Sequence, residues 1–414
     1  MRIAAFSTLP LALTLCVAVC AATPARAASP TDVAATVCDG KGALPLEVVG
    51  SRHFVAVELK GPKGTETVRF HVDSGGNTFG LLLDEAVMKR LGFAKAEALP
   101  RTLRIGGREL AVPRATKWLA MKYADPRGEQ LASGQIGAGF FGHFLVCIDP
   151  GKGHIAFARP EAHPIDDDGR GLALELPRLG PTKAPYPFVH AEVGGQKVLL
   201  LFDTGATTSM LERKYLDAIH GAHADWPLVR NAAGDADMLG GRFPERLLRV
   251  PSLTVGGRDL GAALFVERPD DTWPKMFGVD EAHGALANDV LGSQRMLIDY
   301  KGAHVWLWPS GRAPDASASL TRVGVGLRYG ADKCPEVRLV SSGNAPDVAA
   351  RLQPGDVILA VDGKSVCDGL HHTAATALAG KEGQPKQLRI RRAGATSDVT
   401  VTVRDLTRPT TAAP

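Results

Sequence analysis

Val68-Arg69-Phe70-His71-Val72-Asp73-Ser74-Gly75 and Val198-Leu199-Leu200-Leu201-Phe202-Asp203-Thr204-Gly205 decide the fold of this chain. Each is a short run of strand character that closes on an acid, a hydroxyl residue and a glycine. The two aspartates lie 130 positions apart, inside a longer repeat. Upstream, Phe54-Val55-Ala56-Val57-Glu58-Leu59 answers Phe188-Val189-His190-Ala191-Glu192-Val193. Downstream, Leu103-Arg104-Ile105-Gly106-Gly107 answers Leu253-Thr254-Val255-Gly256-Gly257, and Phe144 to Asp149 answers Gln294 to Asp299, both at an offset of 150. The growth in offset places extra chain in the second copy, around Val229 to Arg242. A solenoid unit would run to roughly 20 to 50 residues, so a period this long marks a duplicated domain.

The composition, 45% hydrophobic and 22% charged over 414 residues, is that of a globular chain with room for two or three domains. Met1-Arg2, the apolar run Leu9 to Ala22 and Ala25-Arg26-Ala27 have the three parts of a secretory signal peptide, with cleavage expected before Ala28. A periplasmic or secreted protein is therefore expected. No later run is long enough to span a bilayer, so stable membrane insertion is not expected. Cys38, Cys147, Cys334 and Cys367 remain after the signal. Their positions suggest Cys38 with Cys147 and Cys334 with Cys367, although spacing does not fix connectivity and buried thiols stay open. The formal charge of +4 comes without a Lys/Arg cluster, which argues against nucleic acid as a partner. No His-Glu-x-x-His spacing occurs, so neither a catalytic metal nor another cofactor is expected.

Each copy reads as short strands broken by Gly and Pro, with a helix after the triplet at Leu82 to Leu91 and at Leu211 to Ile219. The organisation expected is a signal peptide at 1–27, a first lobe at 38–160, a connecting segment at 161–184, a second lobe at 185–308 and a linker at 309–320. The connecting segment is acidic at Asp166-Asp167-Asp168, as a solvated loop would be. A different pattern fills 321–405. There, Gly324-Val325-Gly326-Leu327 precedes Gln353-Pro354-Gly355-Asp356-Val357-Ile358-Leu359-Ala360-Val361-Asp362-Gly363, a turn and strand ending in hairpin chemistry.

Two carboxyl groups sharing one proton can hydrolyse an amide without metal or covalent nucleophile, because repulsion holds one protonated while the other stays ionised. A strand delivers each Asp, the hydroxyl residue can brace the opposite loop, and Gly permits the tight turn. On these motifs the region from Phe54 to Trp308 resembles the retropepsin-like aspartic proteases, in particular the exported bacterial type with two lobes in one chain. The segment 321–405 resembles a PDZ domain. The resemblance implies a mainly β fold with two tandem acid protease lobes in a bilobal pseudo-dimer, followed by an α+β PDZ domain. It implies Asp73 and Asp203 as the catalytic pair, with Ser74, Gly75, Thr204, Gly205 and Ala206 in the active-site loops. Peptide or protein substrates would be cleaved, and Gly324, Val325, Gly326 and Leu327 would receive a C-terminal peptide.

The alternatives are a protease-like binding protein without turnover and a PDZ scaffold. Three departures from the family pattern bear on activity: Gly76 after the first triplet, Ala287 where the second lobe would have Gly, and a single flap at Val229 to Gly241. Because Gly76 and Ala206 lack the hydroxyl that lowers the pKa of a pepsin-like pair, an optimum less acidic than pepsin's is expected. His71, on the same strand face as Asp73, is expected to pack at the lobe interface, and Asp149 and Asp299 to brace turns.

Overall fold

The computed structural model describes residues 27–122, 131–166, 168–180, 183–230, 246–313, 319–341 and 345–407. The signal segment, most of the expected flap, and Asp167 lie outside these residues. Strands dominate, and two large sheets share one strand order. The first runs Arg108–Ala111, Thr102–Ile105, Arg52–Gly61, Gly64–Val72, Gly134–Ile136, Gly80–Asp84, Lys117–Met121. The second runs Arg258–Asp259, Leu253–Val255, Phe188–Val193, Gln196–Phe202, Ala282–Leu286, Ser209–Glu212, Ala263–Arg268.

Directions match as well. Gly64–Val72 is parallel to Gly134–Ile136, as Gln196–Phe202 is to Ala282–Leu286. Gly80–Asp84 is parallel to Lys117–Met121, as Ser209–Glu212 is to Ala263–Arg268. The second sheet then continues into Arg246–Val250 and Leu228–Arg230, an antiparallel pair that accounts for the extra chain.

Alternation sets these strands. In Arg52–Gly61, Val55, Val57 and Leu59 are buried while Ala56 and Lys60 face solvent, and in Phe188–Val193 His190 and Glu192 are the exposed positions. Leu145–Asp149 pairs antiparallel with Gln294–Asp299 at the centre of a third sheet, so the last strands of the two copies join the halves. One apolar core spans them, with Phe70, Val72 and Ile136 from the first copy and Leu200, Phe202 and Leu286 from the second. Cys38 pairs with Cys147 and Cys334 with Cys367.

Two expectations are corrected. The apolar stretches Leu81-Leu82-Leu83 and Ser209–Glu212 are buried strands, and the helices begin after them, at Glu85–Leu91 and Arg213–Ala222. The Asp84 side chain starts the first helix by accepting from the Ala86 N–H. The connecting segment is also more than a loop, because Leu172–Ala173 is an edge strand of the third sheet. As expected, Asp149 and Asp299 accept turn N–H groups, from Lys152 and from Lys301 and Gly302.

The C-terminal sheet has Val325–Tyr329 at its edge, followed by Pro335–Val340, Val357–Val361, Pro385–Arg392 and Ala395–Thr402, with the helix His371–Leu378. Its core is continuous with Val229, Leu247 and Val266 of the second sheet. Leu370 packs against the Phe54, Leu131 and Ala132 cluster beside the first sheet.

Candidate active site

Asp73 and Asp203 follow directly on the equivalent strands Gly64–Val72 and Gln196–Phe202, and both backbones are pinned in the same way. The Asp73 N–H donates to Ile136 O at 2.9 Å and the Asp203 N–H to Leu286 O at 2.9 Å. The hydroxyl residues then cross between the halves. Ser74 N–H donates to Thr204 Oγ1 and Thr204 N–H to Ser74 Oγ, each at 3.0 Å. Ser74 Oγ in turn donates to Phe202 O at 2.6 Å and Thr204 Oγ1 to Val72 O at 3.3 Å. Ser74 and Thr204 are fully buried, so these reciprocal bonds are shielded from water.

The triplet glycines explain themselves in this arrangement. A Cβ on Gly75 would lie 2.5 Å from Asp203 Cγ, and one on Gly205 would lie 2.2 Å from Asp73 Cγ. Each carboxyl thus packs directly over the backbone of the opposite triplet, where no side chain fits. Burial first, then the charge of Asp203, pushes the Asp73 carboxyl well above the usual carboxylate range. Burial also raises Asp203, but its Oδ1 accepts the Gly205 and Ala206 N–H groups at 2.8 and 3.0 Å, which favour its ionised form. This asymmetry makes Asp73 the better proton holder and Asp203 the better carboxylate.

Sequence reasoning missed three neighbours. Gln135 Nε2 donates to Asp73 Oδ2 at 2.5 Å. Asn288 Nδ2 donates to Thr204 O at 2.7 Å, fixing the second triplet from behind. Tyr186 is buried near both carboxyls, and its phenol is held up by burial and by their charges. Beside Asp73 the Gln135 amide takes the place of the hydroxyl that position 76 lacks, while at position 206 the backbone N–H alone donates. Ala287 does not crowd the second loop. Its φ of −125° is close to the −119° of Gly137, and Asn288 N–H still reaches Ala206 O at 3.1 Å. His71 is buried and stacked on Phe54 with ring centroids 5.3 Å apart. Among the described residues no cluster of three His, Cys, Asp or Glu side chains is arranged to hold a metal.

Residues 189–274, which include the second triplet, match the family model described as aspartyl protease, and residues 315–391 match the PDZ domain model. The chain carries an aspartyl protease segment and a PDZ domain. Gly324 leads into the open edge strand of that PDZ domain, and Val325, Gly326 and Leu327 form its first three residues. Solved structures similar to this part include the PDZ domain of the carboxy-terminal protease from Vibrio cholerae in complex with peptide. That likeness has 23% identity over 20% of this chain and 92% of the other, with a TM-score of 0.18. Another is the photosystem II D1 C-terminal processing protease, 22% identical over 27% of this chain and 28% of the other, with a TM-score of 0.20. No curated protein matches the chain. No helix among the described residues is long and apolar enough to cross a membrane.

Proposed function

We propose that the chain is an exported aspartic endopeptidase acting in the periplasm or outside the cell. Its two sheets are the two lobes, and Asp73 and Asp203 the catalytic pair between them. The observation that carries this is the reciprocal Ser74/Thr204 hydrogen bonding, which holds the buried Asp73 and half-buried Asp203 carboxyls face to face over opposing glycines. A peptide-binding groove has no use for two adjacent acids, which repel each other whenever both ionise. Asp203 takes a proton from water as the water oxygen bonds to the peptide carbonyl carbon. Asp73 gives its proton to the carbonyl oxygen. When the resulting diol collapses, the proton on Asp203 goes to the departing nitrogen and a diol proton returns to Asp73. The PDZ domain, whose strand Val325–Tyr329 is an open sheet edge, receives an extended peptide there and raises substrate concentration near the cleft.

We keep one second reading, a peptide-binding protein without turnover. A single row of the second sheet runs Leu201, Ala285, Met210, Val266, Leu247, Val229, and it begins on the Asp203 face. Its far end shares the apolar core of the PDZ domain, so the row that begins beside Asp203 ends against a peptide-binding module.

One experiment separates the two. A mixed peptide library is incubated with the mature protein, Asp73→Asn and Asp203→Asn across a range of pH, and cuts are read by mass spectrometry. Both variants are expected to lose on the order of 10² to 10⁴-fold in rate. Cuts that persist in either variant would overturn the dyad, and peptide binding without cuts would favour the second reading.

A further inference from the structure

Around Asp73, one position holds a residue type that its counterpart in the second sheet lacks. Gln135 lies on Gly134–Ile136, directly opposite His71, and is 4% exposed. The same place in the second sheet, opposite Leu201, is Ala285. The Gln135 side chain reaches past its own strand and donates Nε2 to Asp73 Oδ2.

The room it uses comes from Gly76. A Cβ at position 76 would lie 2.4 Å from Asp73 Oδ2 and 2.6 Å from Gln135 Nε2. Any side chain at 76 would therefore displace the amide or the carboxyl. Gly76 and Gln135 are a matched pair, one absent side chain and one long one filling a single space. Asp73 Oδ1, by contrast, is buried with no donor in full hydrogen-bond geometry among the described residues, and a Cβ built on Gly205 of the opposing triplet would lie 2.4 Å from it against 2.6 Å from Oδ2.

We propose that Gln135 is a positioning residue of the dyad, whose amide claims Asp73 Oδ2 and so places the Asp73 proton on Oδ1, the oxygen nearer the opposing triplet. An N–H donor at Oδ2 disfavours a proton there, because two hydrogens would face each other. Oδ2 remains a carbonyl-like acceptor while Oδ1–H is the donor. When Asp73 has given its proton away, the same amide supports the carboxylate. The inference rests on the dyad proposed above. The other titratable groups facing Asp73 are Asp203, Tyr186 and Tyr300, with His71 two residues earlier on its own strand.

The test uses the full mature chain with Gln135→Met, which keeps the length and removes the donor, and Gln135→Glu, which keeps the shape. Loss of a hydrogen bond to a charged group is expected to lower kcat by on the order of tenfold with KM little changed, and, because Asp73 carries the shared proton, to move the alkaline limb of the pH profile upward by about one unit. Gln135→Glu is expected to move it further, since a third carboxyl opposes ionisation of the pair. A reduced kcat with the alkaline limb unmoved in both variants would overturn the proposal, leaving Gln135 a packing residue. In parallel, the Asp73 carboxyl carbon is followed by ¹³C NMR, assigned with Asp73→Asn, in wild type and Gln135→Met. Titration about one unit higher in the variant supports the proposal, and coincident titrations overturn it. Because the NMR arm needs no turnover, a wild type that cleaves nothing would refute the protease reading and still leave Gln135 decided.

Discussion

The two triplet corners stand on matching strands and yet support their carboxyls by different means. At Asp203 the donors are the backbone N–H groups of Gly205 and Ala206, which any sequence able to form the turn would supply. At Asp73 the Gly75 backbone is joined by the side chain of Gln135, set in space that Gly76 leaves open. A duplicated framework can thus hold two chemically unequal acids, one supported by the chain path alone and one by the chain path together with a particular side chain. Repulsion alone makes two close carboxyls share one proton, and inequality decides which of them carries it.

Where the corners are equal, substitutions should act equally, and the largest effect is expected at the crossed hydroxyls. Thr204→Val and Ser74→Ala each remove a hydroxyl that serves two buried backbone groups. Each is expected to lower unfolding free energy by about 2 to 4 kcal/mol, by leaving those groups unpaired. The double variant should lose less than the sum of the two, because each hydroxyl also serves the other triplet. Urea unfolding of the three proteins measures this. A neutral Ser74→Ala beside a damaging Thr204→Val would show that the corners are not equivalent in support.

Acid should separate the halves next. The first sheet buries His53 and His71, whose pKa values burial pushes down to about 4 and about 3. Their folded values lie below the ordinary 6.5, so the stability they contribute is present above pH 6.5 and is lost as pH falls toward those values. The second sheet has Leu201 and Pro187 in their places, and carries Asp289, pushed up to about 6 by burial. That group acts in reverse, contributing stability in acid that is lost as pH rises through about 6. Because Asp73 and Asp203 act in the same sense as Asp289, the clean readout is the difference: His71→Leu, which installs the residue of the second sheet, should make the melting temperature fall less or rise more between pH 7 and pH 4 than in wild type. An unchanged slope would mean that His71 is already solvated or paired. The stability that the buried histidines lose in acid also gives a physical ground for an activity optimum above that of pepsin.

Much of this was legible in the linear sequence, because the features involved are local. A strand followed by Asp-Ser-Gly or Asp-Thr-Gly is read within ten residues, and the repeat showed that two such corners belong together. Gln135 was not legible. It is distant in sequence from Asp73, and only the parallel pairing of His71 with Gln135 brings its amide to the carboxyl. The helix starts were misplaced for a different reason. Leu81-Leu82-Leu83 is an uninterrupted apolar run, which suits a buried strand and a helix equally. The one local clue was Asp84 placed to cap Ala86. The aspartyl protease model likewise matches only within the second copy, the half whose triplet is followed by Ala-Thr rather than Gly-Asn.

The smallest effect expected is at the turn beside each triplet, and it tests how far the equivalence extends. Gly137 and Ala287 have nearly the same φ, in extended backbone that any residue adopts, so conformation does not demand glycine at either. Neighbours do so at one of them. A Cβ on Gly137 would lie 2.4 Å from Gly76 O and 2.8 Å from Asn77 Cβ, whereas the Ala287 side chain is fully buried in the second corner. Gly137→Ala is therefore expected to destabilise by about 1 to 3 kcal/mol through overpacking, and it should also disturb Asp73, since the displaced Gly76 borders Oδ2. Ala287→Gly should lose about 1 kcal/mol or less, by freeing the unfolded chain and removing one methyl group. Equal losses in thermal melts would mean that the Gly76 turn yields as readily as its counterpart. The space shared by Gly76 and Gln135 would then be a soft spot in the fold and not the rigid seat that a positioned proton requires.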